Sequence, residues 1–336
     1  MLTKHKMQIP KLPKFDRKEK VYPQSIIDFM DAFNTEEKCL NYMASLKWPQ
    51  GWICPRCGNR EYYFLKRRNL IRCKACDYEE SFIANTVMRK THKSLRYWFW
   101  TIYTIATYKT GISAMELYRQ LGFKSYETAW AWLRKIRMAM VNPSRIKLND
   151  EVEVDETYIQ TGQAGRGRQM GGKKALIICA VEVKESKRAG RIASGRIRLR
   201  HIPSASAEHI HSFVLDHVEK GSTVRTDGWR GYAGLSRYGY RHIPEPLGSP
   251  EEASKKFPRV HRVFANLQAW LIGTHRFVSL KHLQNYLNEY TFRFNRRMNP
   301  KQAFNTLLQI ALLDAPRTYA EFVKPTRVYY ANPKPD

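Results

Sequence analysis

Two Cys-x-x-Cys pairs, Cys54-Pro-Arg-Cys57 and Cys73-Lys-Ala-Cys76, are separated by 15 residues and constrain this chain more than any other feature. A tetrahedral metal needs four thiolates, and each pair offers two sulfurs from one tight turn, with turn-prone Gly58 and Asp77 directly after them. The intervening segments, Arg60 to Phe64 and Asn69 to Arg72, read as a hairpin that carries the second knuckle opposite the first. We therefore expect a zinc ribbon over residues 48–82, with structural Zn2+ on Cys54, Cys57, Cys73 and Cys76. A redox role needs one isolated pair on a thioredoxin-like helix, which does not fit two facing pairs. The other two of the six cysteines, Cys39 and Cys179, stand alone, a usage that favours metal in a reducing compartment over a disulfide framework. The hairpin also carries Lys66, Arg67, Arg68 and Arg72, a basic edge that suits DNA or plain solvation.

With 58 Lys and Arg against 30 Asp and Glu, the 336 residues carry a formal charge of +28, and the first partner to expect is a polyanion. Basic residues alternate with Tyr, Trp and Phe through most of the chain, the pattern of folded basic surfaces rather than of one disordered arm. No run of apolar residues is long enough to span a membrane, and the N-terminus lacks the apolar core of a secretory signal. A cytoplasmic protein, bound to the nucleoid when on DNA, is the expectation.

Along the chain, residues 1–47 read as an arm followed by a helix from Ser25 to Leu46. After the ribbon comes a helical, helix-turn-helix-like region over residues 83–145, in which the pattern is helical throughout from Leu95 to Met140. The pattern then changes to β-branched runs at Glu151 to Ile159, Ala175 to Val183, Arg196 to Ile202 and Ser222 to Thr226, with a helix from Ala207 to Val218. Three more helices follow, Arg259 to Thr274, Ser279 to Arg296 and Pro300 to Ala315. The expected fold class is α/β, a mixed sheet flanked by helices over residues 150–315, with a loose tail over 316–336.

Within the helical region, Ser113 is a good N-cap and Gly122 a good C-terminal stop for one short helix, and a second runs from Ser125 to Arg137. Two short helices across a tight turn suit a helix-turn-helix as well as an ordinary helical hairpin. In the first case Tyr126, Arg134, Lys135 and Arg137 face DNA, while Leu133, Ile136 and one of Trp130 and Trp132 pack inward. Among so many basic residues, acids at strand ends stand out. Asp155 lies in the strand Glu151-Val-Glu-Val-Asp155-Glu156, and Asp227 ends Val224-Arg-Thr-Asp227-Gly228. If these strands are neighbours, the two carboxylates share divalent cations, as two-metal phosphoryl transfer requires; otherwise Asp227 is a turn residue before glycine.

The segments Val152-Glu-Val-Asp155-Glu156-Thr-Tyr158, Arg225-Thr-Asp227-Gly-Trp229-Arg-Gly-Tyr232 and His282 to Arg296 resemble those of the IS1595 (ISXO2-like) insertion-sequence transposases. The zinc ribbon and residues 86–140 also follow that family's layout. The resemblance implies an RNase H-like catalytic domain and makes Asp155 and Asp227 the first two members of an acidic triad. No Glu occupies the expected place of the third, in the helix beginning Pro258-Arg-Val-His261. Related transposases carry a Lys or Arg seven residues after the third ligand, and seven after His261 stands Gln268, which takes the DNA-contact position. Family members are similar in varying the third residue among Glu, Asn and His, so the resemblance assigns His261, with Asn266 as the alternative. An imidazole is a softer ligand than a carboxylate, and His261 would favour Mn2+ over Mg2+.

Alternation directs Glu156 to the opposite sheet face, so it is not counted as a ligand, and Glu289 is placed to pair with Arg293 one helical turn away. Basic residues Arg166, Arg168, Lys173 and Lys174 in a Gly-rich loop, and Arg293, Arg296 and Arg297 on the late helix, are candidate phosphate contacts. The expected function is a DNA transposase that binds the terminal inverted repeats of an insertion sequence and cuts and joins double-stranded DNA with Mg2+ or Mn2+, as a homodimer or larger assembly. The competing readings are an inactive transposase-derived DNA-binding protein and a structure-specific nuclease of the same fold.

Overall fold

The structure, a computed structural model, describes residues 22–65, 68–141, 145–161, 173–185, 192–246 and 255–314, together with 252 and 321. Of the described residues, 22–140 with 299–314 form one unit, and those within 141–298 together with 321 form the other. The expected arm, the Gly-rich loop with Arg166 and Arg168, the hairpin residues Lys66 and Arg67, and the tail beyond Glu321 lie outside the described residues.

In the first unit, the expected single helix is two: α1 (Ile26–Ala32) and α2 (Glu36–Lys47). The break has a local cause. Thr35 turns out of helical geometry and its hydroxyl accepts the Lys38 N–H, capping α2, while Ser25 and Asp28 close a capping box on α1. Strands β1 (Tyr62–Leu65), β2 (Leu70–Cys73) and β3 (Glu79–Ser81) form an antiparallel sheet that carries the ribbon. Glu80 ties the ribbon to α2, accepting from Lys47 and from the Trp52 indole at 2.8 Å.

Helix α3 (Leu95–Thr107) is buried on most of its surface. Helix α4 (Ala114–Leu121) starts at the Ser113 cap and stops at Gly122, whose φ of 56° is left-handed, and α5 (Tyr126–Ala139) begins at the Ser125 cap. Trp132 is the inward tryptophan, stacked 3.9 Å from Trp98. The last helix, α9 (Pro300–Leu313), packs against α3 in this unit and not with the sheet domain to which the sequence assigned it. Phe304 explains the difference: it inserts between Phe29, Phe33, Phe99 and Tyr103, an aromatic core the N-terminal helices leave incomplete.

The second unit is a five-stranded mixed sheet: β4 (Glu151–Thr161), β5 (Lys173–Glu185), β6 (Ile192–His201), β7 (Thr223–Thr226) and β8 (Arg241–Pro244), in the order β6-β5-β4-β7-β8. The first three run antiparallel, and β7 and β8 run parallel to β4. Helix α6 (Ala207–His217) covers one face with Ile210, Phe213 and Val214; α7 (Pro258–Trp270) and α8 (Leu283–Asn295) cover the other. The apolar run from Ala175 to Val181 is the consequence: both faces of β5 are buried. Among the described residues no helix is long and apolar enough to cross a membrane.

Candidate active site

Strand register brings the two aspartates together. Glu153 on β4 is paired with Arg225 on the parallel β7, so Asp155 follows two residues further along β4 and Asp227 lies just past the end of β7, close enough for its charge to act on Asp155. Asp227 follows the last residue of β7, where Gly228 turns the chain at a φ of 83° that a side chain resists, and Asp227 Oδ1 accepts the Trp229 N–H at 2.9 Å. Asp155 Oδ1 accepts the Glu156 N–H at 2.8 Å.

From the opposite side, α7 presents His261, whose Nε2 lies 3.3 Å from Asp155 Oδ2. That nitrogen is buried and makes no hydrogen bond. Burial holds the imidazole below its ordinary range, which favours the neutral form. Burial, followed by the Glu156 and Asp227 carboxylates, pushes Asp155 up to about 7. Asp155, Asp227 and His261 offer carboxylate oxygens and one imidazole, donor types that a divalent cation takes. Crowded carboxylates that repel one another and an unpartnered neutral nitrogen gain from the same positive charge. Asn266 and Gln268, further along α7, are exposed.

Glu156 lies on the α6 face, as alternation requires, and accepts from the Tyr232 hydroxyl. It still acts on the site, through its charge on Asp155.

Glu153 is a site residue that the sequence reading passed over. It is wholly buried (0 %), and Oε2 accepts the Arg259 and Val260 N–H groups at 3.1 Å each, while Oε1 accepts from the Arg259 guanidinium at 2.6 Å. No side chain of its own caps α7, so Glu153 serves as its cap from across the sheet. Two residues beyond Glu153 on β4 is Asp155, and two beyond Arg259 on α7 is His261. The signal was in the sequence: acids alternating on the face of a strand between apolar residues need partners from elsewhere.

Several expected DNA contacts are used otherwise. Arg134 and Arg137 are each 2 % exposed, because α5 is buried on more than its Leu133–Ile136 face; only Lys135 of the three is half-exposed. Arg293 sits over Trp270 and 3.6 Å from buried Glu289, the structural pairing expected for that glutamate. Arg296 packs 3.9 Å over Phe292 and donates to its carbonyl. Arg297 donates to the carbonyls of Ser194, Gly195 and Phe294, which joins α8 to β6. These guanidiniums hold the domain together because long basic side chains bury their stems on aromatic faces. Lys174 is exposed at the start of β5, and Lys173 begins that strand.

In the other unit, the Sγ atoms of Cys54 and Cys76 lie 3.5 Å apart and those of Cys57 and Cys73 3.6 Å apart, and all four ligand atoms fall within 4.8 Å of one another. A tetrahedral site with Zn–S bonds of about 2.3 Å has edges of about 3.8 Å, so the four thiols already form the cage.

Residues 147–295 match the model of the ISXO2-like transposase domain, and residues 34–79 match the transposase zinc-ribbon domain. Together they span more than half of the chain. The chain is also 25% identical over 303 residues to an uncharacterized protein in transposable element ISH50 of Halobacterium salinarum, an alignment that covers 84% of this chain and 98% of the other. The first match holds Asp155, Asp227 and His261 and ends before α9, and the second holds all four ribbon cysteines. On both domains, in this order, the chain belongs to the IS1595 (ISXO2-like) family of insertion-sequence transposases.

Proposed function

We propose that this transposase binds the terminal inverted repeats of its element through the ribbon and the α4–α5 helix pair, and cuts and joins DNA strands at Asp155, Asp227 and His261. The observation that carries the reading is the register that sets Asp155 beside Asp227, with the unpartnered His261 nitrogen 3.3 Å from Asp155. The strand order β6-β5-β4-β7-β8, with three antiparallel strands first and two parallel strands after, supports an RNase H-like core.

Mg2+ or Mn2+, when bound, would activate the attacking water or 3′-hydroxyl and neutralise the leaving oxygen. Asp155 and Asp227 hold fixed carboxylates at the floor of the site, each oriented by a backbone N–H. His261 supplies a neutral nitrogen, and Glu153 fixes the helix that carries it. The charge of +28 favours double-stranded DNA in both roles, end and target, and simultaneous handling of two ends implies a dimer or larger assembly.

The test is a cleavage and joining assay on duplexes carrying the element's ends, with Mg2+ and with Mn2+. Asp155→Asn or Asp227→Asn abolishes strand transfer and leaves end binding nearly intact. Strand transfer by either variant would overturn the assignment. Cutting without joining by the native protein would instead support a structure-specific nuclease, and end binding without metal-dependent cutting a DNA-binding remnant.

A further inference from the structure

Beside Asp227 lies a groove of about 530 Å³ between residues 204–207 on one side and Trp229, Arg230 and Gly231 on the other. Trp229 is 43 % exposed, and among the described residues no aromatic ring of the protein stacks on it.

The ring is nevertheless held in place. Its Nε1 donates to the Ala205 carbonyl at 3.0 Å, and its backbone N–H is the one bound by Asp227. Gly231 permits this fit. A Cβ there would come within 2.6 Å of the Ala205 oxygen and 2.9 Å of Trp229 Cδ1. The Arg230 guanidinium lies 5.4 Å from the indole centroid and is exposed. An indole held in place that already takes an exposed guanidinium over its ring, two residues from a proposed metal ligand, suits a base with its phosphate.

We propose that this groove takes one unpaired nucleotide of the DNA strand being processed, its base stacked on Trp229 and its phosphate on Arg230. The inference rests on the reading of Asp227 as part of the cutting site. A double helix cannot offer a base face to an indole, whereas a strand peeled open at the cut can. The positive charge of the chain favours a nucleic-acid occupant over an apolar peptide.

The probe is a DNA hairpin with one unpaired 3′ 2-aminopurine, compared with the same hairpin blunt, bound to zinc-loaded full-length protein without Mg2+ or Mn2+. Stacking predicts that the unpaired nucleotide tightens binding about tenfold and that 2-aminopurine fluorescence is quenched. Trp229→Phe keeps both effects. Trp229→Leu, which fills much of the same space without a π face, loses both while binding the blunt hairpin normally. Equal binding of the two hairpins by native protein, or a preference that survives Trp229→Leu, overturns the proposal. Because no cutting is involved, the outcome is independent of the metal site: a native protein that shows the preference but never cuts rejects the catalytic reading alone.

Discussion

Glu153 shows how a buried acid can govern a site without entering it. It holds the first turn of α7 by two backbone N–H groups and the Arg259 guanidinium, and thereby sets His261 against Asp155. Removing one partner of a buried charged pair strands the other, at a cost of roughly 3–5 kcal/mol. Glu153→Ala is therefore expected to lower unfolding stability by that order in a denaturant titration. Glu153→Gln retains one carbonyl acceptor and recovers part of the stability, yet loosens α7 and weakens Mn2+ binding. A Gln variant with native Mn2+ affinity would contradict the positioning role. At this scale the positions of Asp155 in a strand and Asp227 at a strand's end were legible, because acids there are conspicuous in a basic chain. Glu153 was marked only by its place between apolar residues on a strand, which says that it needs partners but not which, since they lie 106 and 107 residues away. Arg134 and Arg137 misled for the opposite reason: charge suggested a surface, while burial depends on packing that helical periodicity alone does not determine.

The elements divide by how locally they are determined. The caps Ser113, Gly122 and Ser125 fixed α4 and α5 from a few neighbouring residues, and the ribbon hairpin followed from its knuckles. Strand β8 carries little pattern of its own, four residues ending in Pro244, and exists through parallel pairing with β7. Helix α9 was recognisable as a helix but not as a member of the first unit, because an amphipathic stripe does not name its partner. The ribbon is the element most dependent on an ion. Three strands of three or four residues bury too little to fold alone, and a structural zinc site contributes about 10–16 kcal/mol in comparable modules. Stripping zinc with a chelator should leave amides of residues 62–81 unprotected in hydrogen exchange while β4 and β5 stay protected. Unchanged protection of the ribbon would show that zinc does not hold it.

For the whole molecule, the proposed function calls for two kinds of metal site with two tasks. Four thiolates suit a structural ion that organises a DNA-gripping module, and hard oxygens with one imidazole suit an exchangeable ion that takes part in chemistry. The family membership accounts for both domains, and in the proposed site His261 stands in place of a third acid. The central claim, that Asp155, Asp227 and His261 form one divalent-cation site, is tested most directly by an Mn2+ titration of zinc-loaded full-length protein followed by electron paramagnetic resonance. The account predicts that native protein binds Mn2+ with an imidazole nitrogen coupling that His261→Ala removes, and that Asp155→Asn and Asp227→Asn each weaken binding at least about tenfold. Equal Mn2+ affinity in all four proteins, with the nitrogen coupling unchanged, would contradict it.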